Sequence, residues 1–444
     1  MFSKQSVSGA QIRPRLRILF CSVRFPFPLI GGDRVKPYHM LRHLASYHDV
    51  TLLTFHHGSE APPEKVQAME ELGIDVVSLP LHPLKSGLKC VSNIANDLPL
   101  EIQFYQDTAY AAKVEQLLKE KNFDVAMGFF MRAGEYLRDL PVPKILIAED
   151  CRTLYMQRSH QTTSSSSFHQ KLIRRWELSK LRSYEPEMVR AFDYTTFVTQ
   201  EDISAMRAME PNVQYRLLTN GVESDPASEY VNQSDRKDIV FAGKLDVWAN
   251  TMMVHEIARE IFPRIQNVLP DVKLRIVGGY PPKSILRLRS KNIQVHSNVS
   301  DVRKYLRSAA VFIHPHKGGS GIQNKALEAM ASGCAVVTTK TGVHGIPAIH
   351  GREVMIAKNS EEMALYATQL LKDTSLRTSI AEKAQRLVSE KFSWDTIFAQ
   401  MDGILDEMFP PKPIRTDNFE STPEEYSNIR SASGSASTKT HASD

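Results

Sequence analysis

The residues from His316 to Thr339, His-Lys-Gly-Gly-Ser-Gly-Ile-Gln-Asn-Lys-Ala-Leu-Glu-Ala-Met-Ala-Ser-Gly-Cys-Ala-Val-Val-Thr-Thr, hold the densest set of groups able to do chemistry in this chain. Gly318, Gly319 and Gly321 loosen the backbone just before a stretch whose apolar spacing predicts a helix from about Ile322 to Ser332. A helix N-terminus presents backbone N–H groups with no intrahelical partner and carries about +0.5 elementary charge. A glycine-rich turn feeding such a terminus suits a diphosphate, with the N–H groups of Ile322, Gln323 and Asn324 as its cradle. Lys325 and Glu328 lie three residues apart on one helix face, where they can meet the rest of a nucleotide. For Lys325, phosphate ligand and solvated helix lysine are evenly balanced.

Three smaller groups have the same positional logic. Lys244 follows a strand-like run and a glycine directly, in Gly243-Lys-Leu245, which favours an anion-facing cation over a solvated loop lysine. Gly31 and Gly32 allow close approach of backbone to a ligand, and Arg34 can bind an anionic acceptor or phosphates; a tight turn with a helix-capping Asp33 explains Gly31 to Asp33 equally well. Glu149 and Asp150 end another strand-like run, where a carboxylate can orient an acceptor hydroxyl or take its proton. Helix capping is the equal alternative for that pair. No Asp-x-Asp triplet occurs, and Cys21, Cys90, Cys151 and Cys334 lack metal-ligand spacing, so no metal site is expected.

These groups need elements to hold them. Apolar, β-branched runs at Arg17–Val23, Val50–Phe55, Asp75–Leu79, Asp124–Gly128, Lys144–Ala148 and Tyr194–Val198 alternate with helical patterns. A second series runs through Asp238–Gly243, Val272–Gly278, Ile293–His296, Val311–His314 and Ala335–Thr339. Alternation of this kind predicts parallel, doubly wound α/β sheets. The expected layout is a disordered leader over 1–16, a Rossmann-like domain over 17–220, a polar junction, a second Rossmann-like domain over 238–393 and a helix over 394–409. A tail over 410–444, rich in Ser, Thr, Pro and Glu, cannot bury enough apolar surface to stay ordered, and Ser164–Ser167 has the look of a flexible insert.

Leu327-Glu-Ala-Met-Ala-Ser-Gly333 followed by Val336-Val337, together with Gly243-Lys-Leu245, resembles the donor-binding motifs of family 4 glycosyltransferases. The version Gly321-Ile-Gln-Asn-Lys325 is closer to a subgroup of sugar transferases found with exopolysaccharide systems. The resemblance implies the GT-B fold: two Rossmann-like domains facing a cleft, with a C-terminal helix crossing back to the first. It implies an enzyme moving a sugar from a UDP-, GDP- or ADP-sugar to a saccharide or lipid-linked acceptor, with retention, no cofactor and no obligatory metal. Lys244 then neutralises the leaving diphosphate, Glu328 binds the ribose hydroxyls, and Val299 falls in the segment that reads the base through the main chain. Gly31, Gly32 and Arg34 match the acceptor-side glycine loop. Three departures stand out, the first being Glu149-Asp-Cys151 where the family often has a histidine after a central strand, near the reacting sugar. Ser320 occupies the place of an acid that contacts the transferred sugar, and Val247-Trp-Ala-Asn250 replaces the segment carrying the family's second lysine, which leaves Lys325 as the candidate for that charge.

The 444 residues suffice for two domains plus tails, and a net charge of +5 is too mild to indicate nucleic-acid binding. The first fifteen residues lack a secretion-signal apolar core, and no run of about 18 apolar residues exists, so the expected location is the cytoplasm. Lys171–Arg182 is a basic amphipathic stretch whose expected use is packing Leu, Ile and Trp on the core; peripheral contact with the inner face of an anionic membrane is its alternative. A GT-B epimerase of the UDP-N-acetylglucosamine 2-epimerase kind and a non-catalytic nucleotide-sugar-binding protein are the competing functions. A nicotinamide dehydrogenase fits poorly, because Gly319-x-Gly321 lacks a third glycine and lies far from the first strand.

Overall fold

The computed structural model describes residues 11–29, 32–93, 95–162, 168–225, 232–318 and 321–413. Among the described residues, thirteen strands form two parallel sheets. The first contains β1 (Arg17–Ser22), β2 (Asp49–His57), β3 (Asp75–Leu81), β4 (Val125–Phe129), β5 (Lys144–Glu149), β6 (Tyr194–Phe197) and β7 (Tyr215–Leu217), in the order β3-β2-β1-β4-β5-β6-β7. The second contains β8 (Lys237–Ala242), β9 (Leu274–Gly278), β10 (Ile293–Ser297), β11 (Ala309–His314), β12 (Ala335–Thr338) and β13 (Met355–Ile356), in the order β10-β9-β8-β11-β12-β13. The strands are near-continuous apolar runs because helices cover both faces. Ile18, Leu19 and Phe20 of β1 are fully buried, each worth about 1.5–3 kcal/mol of transfer energy.

In each sheet the strand order reverses direction once, between β1 and β4 in the first and between β8 and β11 in the second. Connections from neighbouring strands leave to opposite sides there, opening a crevice at the strands' C-terminal ends, which is where open α/β sheets bind ligands. Gly243-Lys-Leu245 follows β8, and the glycine-rich segment follows β11. Both therefore flank the second sheet's crevice.

The helix Trp394–Met408 crosses back to the first domain, as the resemblance implies. Trp394 stacks on His39 at 4.1 Å and Phe398 on His43 at 4.2 Å, and His43 meets Asp402 at 2.8 Å. A Cβ at Gly221 would lie 2.4 Å from the Trp394 ring, so the junction must be glycine where this helix begins. Separately, the described residues 11–14 and 405–413 form a small unit in which Gln11–Ile12 pairs antiparallel with Lys412–Pro413.

Two local expectations change. Asp33 is not the residue before a helix: the helix runs Gly32–Ala45, so Asp33 lies in its first turn, where it pairs with Arg24 and faces the positive end of the dipole. The basic stretch belongs to the helix Phe168–Arg190 and packs only in part: Leu181 is buried, whereas Leu172 and Ile173 are 57% and 55% exposed. Residues of the leader before Gln11, of the tail after Pro413 and of the Ser164–Ser167 insert lie outside the described residues.

Candidate functional site

The donor half is assembled around the turn Gly243–Leu245. Gly243 and Leu245 donate backbone hydrogen bonds to Val277 and Gly279, both at 3.0 Å, which pins the turn to the end of β9. A Cβ at Gly278 would sit 1.8 Å from the Gly243 carbonyl, so this clasp exists only because residue 278 has no side chain. Asn250 then ties the loop to the second cation. Its Nδ2 donates to the Lys244 carbonyl at 2.8 Å, and its Oδ1 accepts from Lys325 Nζ at 2.6 Å. Lys244 projects half-exposed, with Asp246 at 3.6 Å, whereas Lys325 is tucked in, 6.0 Å from the centre of the Phe241 ring. Burial pulls Lys325 down to about 8, against the opposing pull of Glu328.

The helix predicted from Ile322 begins two residues later, at Asn324. Ile322 is buried and Gln323 is the residue before the helix, so these two form the approach to the helix terminus. Gly321 takes φ +70°, a conformation that favours glycine. Glu328 is solvent-exposed yet densely surrounded by protein, as a group lining a cleft would be. Those surroundings raise its pKa; Arg303 and Lys325 act in the opposite sense. Arg303, placed beside Glu328 by the fold, went unrecognised in the sequence because it lies on another helix, Arg303–Ser308. Beneath the loop, His314 and His316 stack at 5.2 Å with both Nε2 atoms buried and unpartnered. Burial and then Lys325 lower His316 to about 4, so the floor is neutral near pH 7 and Lys325 carries the charge there. Val299 packs, half-buried, against the same core beyond Asn298. Gly319 and Ser320 lie outside the described residues.

The first domain meets this half directly. Asn220 Nδ2 donates to Asn324 Oδ1 at 2.8 Å, and a Cβ at Gly321 would lie 3.6 Å from both Asp150 Cβ and Val198 Cγ2. Asp150 is thus brought to the donor loop. Glu149 is brought close too, but it is engaged: it accepts from Lys36 Nζ at 2.5 Å, while Lys36 also donates to the Leu218 carbonyl at 2.8 Å. Burial raises Glu149 and lowers Lys36, and their mutual attraction opposes both shifts. A carboxylate held this way is an anchor more than a free base. Lys36 was not recognised from sequence, although the signal was there: it lies four residues before Met40 on the helix's buried face. Arg34 is half-buried in the first turn of that helix, Gly32 is its first residue, and Gly31 lies outside the described residues.

Two parallel-sheet Rossmann-like domains, a connecting cleft and a returning C-terminal helix define the GT-B fold. Residues 236–373 match the family described as "Glycosyl transferases group 1". The chain is 24% identical over 173 residues to an uncharacterized 44.6 kDa protein in the cps region of Klebsiella pneumoniae, covering 37% of this chain and 45% of that one. It is 27% identical over 173 residues to the phosphatidyl-myo-inositol mannosyltransferase of Mycolicibacterium smegmatis, covering 37% and 44%. Both matches thus span less than half of the relative. Anabaena HepE, solved with UDP and glucose, shares the fold with a TM-score of 0.59 at 16% identity, over 88% of this chain and 100% of that one. Together these comparisons show the GT-B fold and a segment, residues 236–373, that is similar to group 1 glycosyl transferases.

Proposed function

We propose that the protein is a family 4 glycosyltransferase that transfers a sugar from a nucleotide sugar to a saccharide or lipid-linked acceptor in polysaccharide or glycoconjugate assembly. The observation that carries this reading is the bridge from the Lys244 carbonyl through Asn250 to Lys325, which ties the turn bearing Lys244 to a buried cation on the helix Asn324–Ala331 at the crevice of the second sheet. As charge builds on a departing nucleoside diphosphate, fixed cations and helix amides stabilise it without reorganising. Glu328, on the same helix face as Lys325, suits the ribose hydroxyls. On this reading the reaction retains configuration and needs no metal, since lysines supply the counter-charge. The bound UDP in HepE makes a uridine donor the first to try. The test is a screen of UDP-, GDP- and ADP-sugars by calorimetry, then an assay for transfer or sugar release with and without EDTA. No heat with any donor sinks the reading.

A second reading, a non-catalytic nucleotide-sugar-binding protein, is favoured by two features: Ser320 in the place of an acid, and Glu149 tied up by Lys36. Tight donor binding with neither hydrolysis nor transfer supports it. Peripheral contact with an anionic membrane is favoured by a surface of the first domain. Leu84, Leu88 and Val91 are 86%, 71% and 71% exposed on one face of the helix Pro83–Ser92, and Leu172 and Ile173 are exposed on the basic helix. Cys90 and Leu100 link the first of these helices to Glu177 of the second. No acid occurs from His82 to Asn96 or from Phe168 to Trp176, so apolar and basic groups alternate there, as binding to anionic lipid requires. Sedimentation with phosphatidylglycerol vesicles, weakened in Leu84→Asp/Leu88→Asp and absent with phosphatidylcholine alone, tests this. Among the described residues, no helix is long and apolar enough to cross a membrane.

A further inference from the structure

Besides Asn220 and Asp150, a third group of residues joins the two domains beside the donor loop, and the reaction proposed above makes no use of it. After β12 the chain makes a short turn over Thr341–Val343 and presents His344. Val343 and Ile346 are buried on either side, and the Ile346 N–H donates to the Val343 carbonyl at 2.9 Å, so the ring stands on an anchored loop. Gly345 takes φ +74°, and a Cβ there would lie 2.5 Å from Thr199 Cγ2 and 2.7 Å from Ile322 Cγ1. The loop is thus pressed between the first domain and the residue that leads into the donor helix.

The His344 ring faces two charged groups of the first domain, carried on two different helices. Its Nδ1 lies 2.9 Å from Glu201 Oε2, in the first turn of the helix Gln200–Met209. Its Nε2 lies 3.4 Å from Arg158 Nη1, on the helix Arg152–Thr162. Arg158 and Glu201 are themselves ion-paired. Among the described residues, Glu201 and Arg158 are the charged groups that act on this ring. Only one protonation state fits both contacts. A carboxylate oxygen at 2.9 Å needs a proton on Nδ1, while a guanidinium N–H at 3.4 Å needs the lone pair of Nε2. That state is the neutral imidazole with its proton on Nδ1. A second proton would set an N–H on Nε2 against the N–H of Arg158, turning an accepting contact into one between like charges. Burial first, and then Arg158, lower the pKa of His344, and Glu201 offsets them only in part.

We propose that neutral His344 is the positioning residue that clamps the donor-loop side of the second domain onto the first, and that acid releases this clamp. The ring binds a proton less readily when clasped than when released. The clamp is therefore whole above the ordinary histidine value of 6.5 and weakens as pH falls below it. The clamp stands apart from the transferase reading, and only its effect on a donor rests on that reading.

The test uses the full chain with Cys90→Ser and spin labels on Glu115→Cys and Leu365→Cys, one exposed position in each domain. Cys21, Cys151 and Cys334 are buried and stay unlabelled. Pulsed EPR distances between the labels are compared at about pH 7.5 and about pH 5.5, on either side of the histidine range. Calorimetry with UDP-glucose, whose diphosphate does not titrate in this range, runs in parallel. In wild type, acid should raise the share of a second distance population about fivefold or more and weaken UDP-glucose binding by a similar factor. His344→Asn keeps an amide donor where Nδ1 stands and cannot titrate, so its distances should be the same at both pH values. His344→Gln, with its amide in the place of Nε2, carries the same expectation should the first variant fail to fold. Wild-type distances that ignore pH overturn the proposal, and so does an acid response that survives in the folded variant. Distances that respond as expected without any binding of UDP-glucose support the clamp and refute the UDP-glucose donor, so the two fail separately.

Discussion

Replacing Lys325 with methionine should move stability and donor affinity in opposite directions. Burial lowers Lys325 from 10.5 to about 8. At about 1.4 kcal/mol for each tenfold in proton affinity, keeping it charged costs the fold about 3 kcal/mol below pH 8. Methionine matches its length without the charge, but strands Asn250 Oδ1, which accepts from Lys325 at 2.6 Å. That loss is about 1 kcal/mol, so Lys325→Met should be more stable at pH 7 by about 2 kcal/mol. The sign can be checked by pH. The folded pKa lies below the unfolded one, so the penalty is full below pH 8 and fades as pH rises towards 10.5. Wild type should gain on the variant across that window. Affinity should behave otherwise. A charge-assisted bond to a diphosphate contributes about 2 kcal/mol, so the Kd for UDP-glucose should rise roughly 30-fold. Urea unfolding at pH 7 and pH 10 and calorimetry with UDP-glucose measure both. A destabilised variant that binds UDP-glucose as wild type does refutes the argument, because Lys325 would then be a structural residue and not a phosphate ligand.

Lys244→Ala and Glu328→Ala should each weaken nucleotide binding by about 1–2 kcal/mol, read by calorimetry, and unchanged affinity in both would place the donor elsewhere. UDP-glucose affinity of wild type should fall as pH rises through about 8, with proton uptake on binding visible as a dependence of the binding heat on buffer ionisation enthalpy, because the anion favours protonated Lys325. Gly278→Ala should lose about 3–5 kcal/mol in urea unfolding, since its Cβ would stand 1.8 Å from the Gly243 carbonyl; a loss below 1 kcal/mol would show that the clasp can relax. Burial raises Glu185 to about 7, above its unfolded value of 4.5, so its contribution is fully present below pH 4.5 and is lost as pH rises to 7. Glu185→Gln should remove up to about 3 kcal/mol of that pH dependence, and parallel melting curves for the two proteins from pH 4.5 to 7 would refute it.

The α/β class and the GT-B arrangement were legible because each strand is an apolar run bounded by turn residues, a pattern that burial on both faces imposes. The junction of β8 with Lys244 and of β11 with the glycine-rich loop was legible for the same reason: a strand end followed by glycine is local information. Lys36, Arg303 and Asn250 were not, since each matters through a partner from another element, Glu149, Glu328 and Lys325 respectively. His344 was no more legible, because both residues that fix its proton, Glu201 and Arg158, come from helices of the other domain.

The departures from the family pattern differ in kind once distances are considered. The missing second lysine after Gly243-Lys-Leu245 is a change of sequence position more than of charge. Asn250, in the segment where that lysine is expected, holds Lys325 at 2.6 Å, so a cation from the helix after the glycine loop arrives beside the turn that carries the first. A diphosphate responds to charge in space, not to the order of residues along the chain. Ser320 is a different matter. A hydroxyl can still meet a sugar hydroxyl, but it supplies no negative charge; the acidic residue brought against the loop's Gly321 is Asp150, and its neighbour Glu149 is committed to Lys36. On the transferase reading a donor diphosphate is therefore provided for by this arrangement, while acid chemistry at the sugar would come from the first domain. On the transferase reading that leaves Asp150 as the residue to test, in the half of the cleft where sequence pattern says least.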